Sequence, residues 1–235
     1  MNKFYFFVAL MLSFSCNNPK QISITKVEGS APYLNSSLSL EDIKIDENDY
    51  TFSFNVSDYT LGMQSLKDFD YTLANSAKGQ HIHFIINNDP YSAHYEDTFT
   101  KQFEDGSNVI LAFLSRSYHE SVKNKNAFVL TQVGEKMIDL NNEFLFYSRP
   151  KGTYKGVDTE KLLLDFYLVN TEISALGNKV RATIQDKEFI IEEWAPYYIE
   201  GLPKGEIKIK LELIDASGNL IDTPFNPSIR TVILE

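Results

Sequence analysis

The histidines are the residues whose type and spacing favour metal chemistry in this chain. All four fall within residues 81–119, at His81, His83, His94 and His119. His81 and His83 are two apart in a stretch that alternates at the period of a strand, so both side chains leave the same face. Imidazole nitrogen is a common ligand of Zn²⁺ and Cu²⁺. With His94 or His119 as a third ligand from a neighbouring loop, the pattern predicts a metal site.

The neighbours of the histidine pair indicate which way it faces. Ile82, Phe84 and Ile86 alternate with the pair and form the apolar face of the strand. We therefore expect His81 and His83 to point outward into solvent. An outward strand position accepts any polar residue, so the alternative that the histidines are ordinary surface residues stays open. Zinc or copper is the one cofactor that the sequence suggests.

Aromatic and cationic residues in or near the predicted loops form a second candidate surface. Aromatic side chains combine apolar area with a polar tip and can hold a sugar or a protein partner. The residues assigned to this surface are Tyr91, Tyr95, Arg116, Tyr118 and Trp194.

No pattern in the sequence predicts catalysis. Ser115 and Ser117 lie close to His119 and Glu120 in sequence, but no Gly-x-Ser-x-Gly turn exposes either serine. We assign no catalytic residue and expect the protein not to be an enzyme. The alternative, an envelope enzyme, requires a concave pocket with carboxylates of perturbed pKa.

Composition restricts the fold and the partners. The chain has 235 residues, 43% of them hydrophobic, with a formal net charge of −10. Such an acidic chain repels a phosphate backbone, which excludes nucleic acid as the expected partner. Aromatic and β-branched residues are frequent and no long stretch favours a helix, so the composition predicts an all-β protein.

The amino terminus has the pattern of a secretion signal. Phe4 to Phe14 is apolar and follows Lys3, but it is shorter than the roughly 20 residues that span a bilayer as a helix. Ser15 and Cys16 resemble the lipobox of bacterial lipoproteins. That resemblance implies a signal peptide at residues 1–15, a lipid on Cys16, a tether at residues 16–21, and attachment to a membrane of the cell envelope, which we expect to be the outer membrane. Cys16 is the only cysteine, so no disulfide is predicted.

An internal repeat predicts two domains. The segments of residues 50–56, 79–87 and 109–113 recur in the same order at residues 162–168, 177–185 and 207–211, with turn residues between them. Short alternating strands of this kind are typical of β sandwiches. We place an immunoglobulin-like domain at residues 22–136, which carries the histidines, and a second at residues 139–235.

The repeated segments are similar to bacterial immunoglobulin-like modules of cell-envelope proteins. The whole chain also resembles envelope lipoproteins of the Bacteroidota in the segments GQHIHFIINNDPYSAHY, LAFLSRSYHES, LFYSRPKG and YYIEGL. These resemblances imply two tandem immunoglobulin-like sandwiches and a location in the cell envelope, and they leave activity open. Together with the absence of a catalytic pattern, we expect a non-catalytic, lipid-anchored envelope protein that binds a partner. Its expected partners are the membrane, through the lipid, and an envelope protein or glycan. The alternative is a periplasmic zinc- or copper-binding module.

Overall fold

The computed structural model describes residues 21–69, 73–135 and 137–235. Their regular secondary structure is β, apart from one turn of 3₁₀ helix at Gly156–Thr159. The first eight strands are β1 (Ser23–Lys26), β2 (Ser37–Asp46), β3 (Asp49–Ser57), β4 (His81–Ile86), β5 (Ser92–His94), β6 (Thr98–Gln102), β7 (Ser107–Ser115) and β8 (Phe128–Gly134). The others are β9 (Phe144–Arg149), β10 (Thr153–Tyr154), β11 (Lys161–Val169), β12 (Lys179–Ile184), β13 (Lys187–Ile191), β14 (Tyr197–Glu200), β15 (Gly205–Ile214) and β16 (Ser228–Leu234).

The first sandwich packs two antiparallel sheets, β2-β3-β6 and β5-β4-β7-β8. Ile82 and Phe84 of β4 point into its core and are buried, as the strand alternation predicts. The ring of Phe84 meets that of Phe52 on the opposite sheet at a centroid distance of 5.0 Å. This is an immunoglobulin-like sandwich in which the first, second and fifth strands form one sheet and the third, fourth, sixth and seventh form the other. The fourth strand pairs with the third, whereas in a constant-type domain it pairs with the fifth.

The second sandwich repeats this arrangement. Strands β9, β11 and β14 form part of one sheet, and the other has the order β10-β16-β15-β12-β13. The short β10 pairs parallel to β16, with Thr153 opposite Ile233. The core between the sheets is aliphatic and includes Leu164, Ala182 and Ile209. The predicted fold class, all-β with two tandem immunoglobulin-like sandwiches, is confirmed.

The first strand lies outside the sandwich to which the sequence assigned it. We placed residues from position 22 onward in the first domain, but β1 pairs antiparallel with β14 of the second sandwich. Val27 continues the contact by donating its N–H to the carbonyl of Pro196 at 2.9 Å. The described part of the chain therefore pairs first with the second sandwich, at Ser23–Lys26, before it enters the first. The other domain bounds stay a prediction.

The sheet that carries the histidines is buried on both faces, because its outer face packs against the second sandwich. Phe113 of β7 stacks on Tyr167 of β11 with ring centroids 4.7 Å apart. This second apolar layer consists mainly of Ile85, Tyr91, Val109, Leu111, Phe113, Phe144, Phe146, Tyr167 and Val169.

The sequence match between the two copies is displaced by one residue in β7. Register places Ile82 and Phe84 opposite Leu114 and Ala112, so these residues face the first core. Val109, Leu111 and Phe113, which the repeat aligned with the core residues of β15, face the second sandwich instead. The strand is apolar on both faces, so its pattern did not identify the inner one.

The predicted signal peptide at residues 1–15 and the lipid site Cys16 lie outside the described residues, as does most of the tether. No helix in residues 21–69, 73–135 and 137–235 has the length and hydrophobicity needed to cross a bilayer.

Candidate metal site

His81 and His83 are fully buried, so the prediction that they face solvent is wrong. Both do point away from the core of the first sandwich, as the alternation of β4 requires. The outer face of β4 is covered by the second sandwich, however, and the two imidazoles are enclosed between the domains. A polar residue on the outer face of a sheet reaches water only where no second layer covers that face.

Three histidines converge at this position. The Nε2 atoms of His81 and His83 are 2.9 Å apart, and Nδ1 of His119 lies 3.2 Å from Nε2 of His81. One nitrogen from each of the three rings lies within 4.8 Å of the other two. The structure therefore brings together the strand pair and one of the two loop histidines that the sequence offered as a third ligand.

A tight turn places His119. The N–H of Arg116 donates to the carbonyl of Glu120 at 2.9 Å, and the N–H of His119 donates to the carbonyl of Arg116 at 2.8 Å. His119 has φ of +68°, in the left-handed region that glycine and asparagine adopt more readily than histidine. The turn thus holds the imidazole toward β4.

The backbone of the long loop before β4 fixes the ring of His81. Nδ1 of His81 lies 2.8 Å from the carbonyl oxygen of Gly79, which only accepts hydrogen bonds. Gly79 is itself held by the chain at Gly62 and Met63, since the N–H of Gln80 donates to the carbonyl of Met63 at 2.7 Å. A Cβ on Gly79 would lie 2.3 Å from the carbonyl oxygen of Gly62. Glycine is therefore required at this position.

The contact with Gly79 determines the tautomer of His81. In the neutral ring the proton is on Nδ1, so Nε2 carries a lone pair directed at the other two histidines. Nδ1 of His83 lies 3.3 Å from the hydroxyl oxygen of Ser148 on β9, which can hold the proton of that ring on the same nitrogen. Partners of this kind orient histidine ligands in metal sites. If His83 adopts this tautomer, its Nε2 lone pair also points into the cluster.

Burial keeps the cluster neutral. Desolvation, ahead of all other causes, lowers the pKa of His81 to about 4 and that of His119 to about 2. Desolvation likewise lowers the pKa of His83, followed by the charges of its histidine neighbours. The nearby cations Arg149 and Lys151 lower all three values further. At neutral pH the three imidazoles are therefore uncharged, which is the form of histidine that binds a metal.

Tyr91 closes one side of the cluster. Its ring stacks on His83 with centroids 3.4 Å apart and an interplanar angle of 14°. Its hydroxyl lies 3.2 Å from Nδ1 of His119. Burial raises the pKa of the Tyr91 phenol, so this group is neutral at physiological pH. We had assigned Tyr91 to an open binding surface, but it is 3% exposed and belongs to the cluster.

His94 lies apart from this group. It pairs with Ile82 across the β4-β5 ladder, so its side chain lies on the inner face of the sheet. Its ring stacks on Phe99 at a centroid distance of 3.5 Å, and its Nε2 is 2.8 Å from the hydroxyl of Ser92. The sheet separates His94 from the other three histidines, which makes it a natural internal control for their chemistry.

The predicted aromatic surface is largely internal. Arg116 and Tyr118 are buried, because the turn that carries them packs against the loop before β2. Arg116 forms an ion pair with Glu120 at 2.8 Å and is not an open anion receptor. Tyr95 is partly buried, with its ring centroid 5.1 Å from that of His81. Trp194 is also partly buried and donates its indole N–H to the carbonyl of Phe166 at 3.0 Å.

Two functional contacts were missed by sequence reasoning. Ser148 comes from the other sandwich, and no local pattern connects it with His83. Gly79 opens the repeated segment at residues 79–87, but the sequence did not indicate its carbonyl as a partner of His81. Ile85 gave a usable indication. It lies on the same face of β4 as His81 and His83, and an apolar residue at such an outward position favours burial of both faces of the sheet.

Comparison with known proteins identifies no family. No family model and no curated protein matches the chain. Among solved structures, the fibronectin(III)-like modules of CbhA from Clostridium thermocellum match with 12% identity and a TM-score of 0.30, over 84% of this chain and 94% of that one. The two tandem V-type regions of VCBP3, a v-region-containing chitin binding protein, match with 8% identity and a TM-score of 0.24, over 91% and 99%. The FN1-FN3 domains of chicken CNTN1 match with 9% identity and a TM-score of 0.23, over 88% and 68%. At such TM-scores these similarities add nothing to the fold described above.

Proposed function

We propose that this protein is a non-catalytic metal-binding module of the bacterial cell envelope. Its ligand is a Zn²⁺ or Cu²⁺ ion held by His81, His83 and His119. The observation that supports the proposal is the convergence of three neutral imidazoles in a buried seam, with a lone pair of His81 directed at the other two rings.

The spacing of the nitrogens suits such an ion. Zinc–nitrogen bonds of 2.0–2.1 Å place the ligands of a tetrahedral ion roughly 3.3 Å apart. The distances of 2.9 and 3.2 Å from His81 to its two neighbours are close to that value. The three nitrogens lie within 4.8 Å of one another, so the widest pair must shorten by up to about 1.5 Å to hold a tetrahedral ion. Without a cation, one nitrogen of each close pair must carry the proton and donate a hydrogen bond to the other. This requirement restricts the tautomers of the three rings.

The surroundings favour binding over catalysis. The void beside His119, lined by Tyr118, Arg149 and Tyr154 among others, has a volume of about 10 Å³. Such a void holds about one water molecule and leaves no room for an organic substrate. Glu120, the carboxylate nearest to His119 in sequence, is held by Arg116 and by the hydroxyl of Ser30 and is not free to act as a base.

The location in the envelope rests on the amino-terminal sequence. The apolar segment followed by Ser15 and Cys16 supports export and lipid attachment, with the outer membrane as the proposed site. The lipid would then provide the membrane contact, and the two sandwiches would face the periplasm or the cell exterior.

Metal content measured by mass spectrometry tests the proposal. The detergent-solubilised protein should carry close to one zinc or copper ion after exposure to the metal and removal of excess. His119→Asn should lose that ion, because asparagine tolerates the left-handed backbone but lacks the imidazole. His94→Asn, which changes a histidine on the opposite face, should retain it. A wild-type protein that binds neither metal, or a His119→Asn variant that binds as tightly as wild type, would contradict the proposal.

A second candidate function is the binding of a glycan or a protein partner in the open cleft beside Trp194. The cleft has a volume of about 700 Å³, within the usual range for ligand sites, and Phe128, Leu168 and Ile173 supply apolar walls. Trp194 is the only tryptophan of the chain, so its fluorescence reports on this cleft directly. Titration with envelope glycans should shift the emission of Trp194 if one of them binds here. An unchanged spectrum across the series would exclude these glycans as ligands of the cleft.

A further inference from the structure

Three cations gather on the second sandwich beside the histidine cluster. Arg149 ends β9, Lys151 follows it, and Arg230 lies on β16. Within residues 21–69, 73–135 and 137–235, none of the three forms an ion pair with a carboxylate. In a chain of net charge −10, an uncompensated group of positive charges is unexpected.

The side chains are held in place by neutral groups. The guanidinium of Arg230 donates to the carbonyls of Ser148 and Asn88, at 3.2 and 3.0 Å. Lys151 donates to the carbonyl of Tyr91 at 2.6 Å, and its ammonium lies 3.7 Å from the centroid of that ring. These contacts fix the positions of the cations but leave their charge uncompensated.

Arg149 is the most enclosed of the three. It is 8% exposed, and its Nε has no hydrogen-bond partner among the described residues. Burial, followed by the charges of Arg149 and Arg230, lowers the pKa of Lys151 to about 8. The three cations therefore repel one another in a partly desolvated position, and an anion would relieve that repulsion.

An open cleft of about 270 Å³ lies against two of these cations. Lys151 and Arg230 line it, together with Asn88 and Ser228, which are largely buried, and the exposed Thr231. One carboxylate, that of the exposed Asp89, also borders the cleft. The balance of charge beside the cleft is therefore positive, and hydroxyl and amide groups stand next to the cations.

We propose that this cleft binds a small oxyanion. The anion is a phosphate or a sulfate, either free or as a group of a larger molecule. Arginine donates to oxyanions through its planar fork and lysine as a mobile point charge. The volume of the cleft accommodates such a group with some of its attached molecule. This site is separate from the three imidazole nitrogens, and it does not depend on whether they bind a metal.

The test measures phosphate binding by calorimetry on the full chain in detergent, after chelator treatment and at constant ionic strength. Inorganic phosphate and sulfate should bind at millimolar concentration or below, and chloride should not. Lys151→Met should weaken phosphate binding at least tenfold. Lys44→Met, at an exposed position on β2 of the other sandwich, should leave it unchanged.

Arg230→Lys provides a second variant, which retains the positive charge but removes the planar guanidinium group. It should weaken phosphate binding by a smaller factor than Lys151→Met. Comparison of phosphate with glycerol phosphate separates a free anion from a monoester, because a monoester site binds the ester more tightly. The proposal is overturned if wild type shows no phosphate binding at millimolar concentration, or if Lys151→Met binds as wild type does. Since the protein is free of metal throughout, neither result bears on the histidine site.

Discussion

Acidification should destabilise the metal-free protein well above the pH at which its carboxylates protonate. The pKa of His81 is about 4 and that of His119 about 2 in the folded protein, and that of His83 is also lowered, against an ordinary value of 6.5. Below about pH 6.5 the unfolded chain therefore binds protons that the folded protein does not, and stability falls as the pH falls. Above that pH these histidines contribute no pH dependence.

The size of the effect follows from the number of buried rings. Each histidine that is protonated only in the unfolded state changes the free energy of unfolding by about 1.4 kcal/mol per pH unit. The three rings of the cluster give about 4 kcal/mol per pH unit between roughly pH 6 and pH 4.5. Burial also lowers the pKa of His94 to about 4, which adds about 1.4, so the measured slope should be about 5.4 kcal/mol per pH unit. Because a domain is stable by only about 5–15 kcal/mol, two pH units are enough to unfold much of the population.

Urea denaturation at a series of pH values measures this slope. The variant His119→Asn should reduce it by about 1.4 kcal/mol per pH unit, since one proton-binding difference is removed. Lys44→Met, at an exposed position on β2, should leave it unchanged. Equal slopes in wild type and His119→Asn would refute the conclusion that His119 is buried in its neutral form.

Two further substitutions test how the structure holds the cluster. Asp165 is a fully buried carboxylate that pairs with Lys123 and accepts a hydrogen bond of 2.9 Å from the hydroxyl of Ser121. Asp165→Ala should therefore lower the free energy of unfolding by about 3–5 kcal/mol. Asp165→Asn, which keeps the bond to Ser121, should cost less in the same urea experiment, and equal costs would show that the bond to Ser121 contributes nothing beyond the charge. Gly79→Ala should destabilise the protein and weaken metal binding, because its Cβ would meet the carbonyl of Gly62 at 2.3 Å. Gly218→Ala has similar φ, +87° against +85°, but nothing within 4 Å of the added atom, so it isolates the clash from the backbone strain. Similar losses in both alanine variants would contradict the role assigned to Gly79.

The sequence was sufficient for the fold because the repeated strands are local patterns. Val180, Ala182 and Ile184 alternate as Ile82, Phe84 and Ile86 do, and in both copies these residues face the core. Strand period and turn residues determine such features within a few positions of the chain.

The environment of the histidines was not predictable in the same way. In the second copy, Lys179 and Arg181 occupy the positions of His81 and His83, remain partly exposed, and Arg181 pairs with Glu212 at 2.8 Å. The difference arises from the contact between sandwiches, which no alternation within one strand reports. Thr183 in the second copy corresponds to the buried Ile85 in the first. This apolar replacement, like the apolar outer face of β7, was a local indication that the outer face is covered.

The choice among loop histidines also depended on tertiary structure. The sequence offered both His94 and His119 as a third ligand and gave no reason to prefer one. In the structure β5 places His94 on the inner face of the sheet, and the turn at Arg116–Glu120 places His119 on the outer one. The left-handed backbone of His119 is not recognisable from a sequence that has histidine where such turns favour glycine or asparagine.

X-ray absorption spectroscopy of the zinc-loaded protein identifies the ligands of the ion. We expect a first shell with three imidazole nitrogens at about 2.0–2.1 Å and the outer-shell scattering of histidine rings. His119→Asn should lose one of these rings, and His94→Asn should retain all three. A zinc spectrum without imidazole scattering, or one that changes in His94→Asn but not in His119→Asn, would contradict the assignment of His81, His83 and His119 as the metal site.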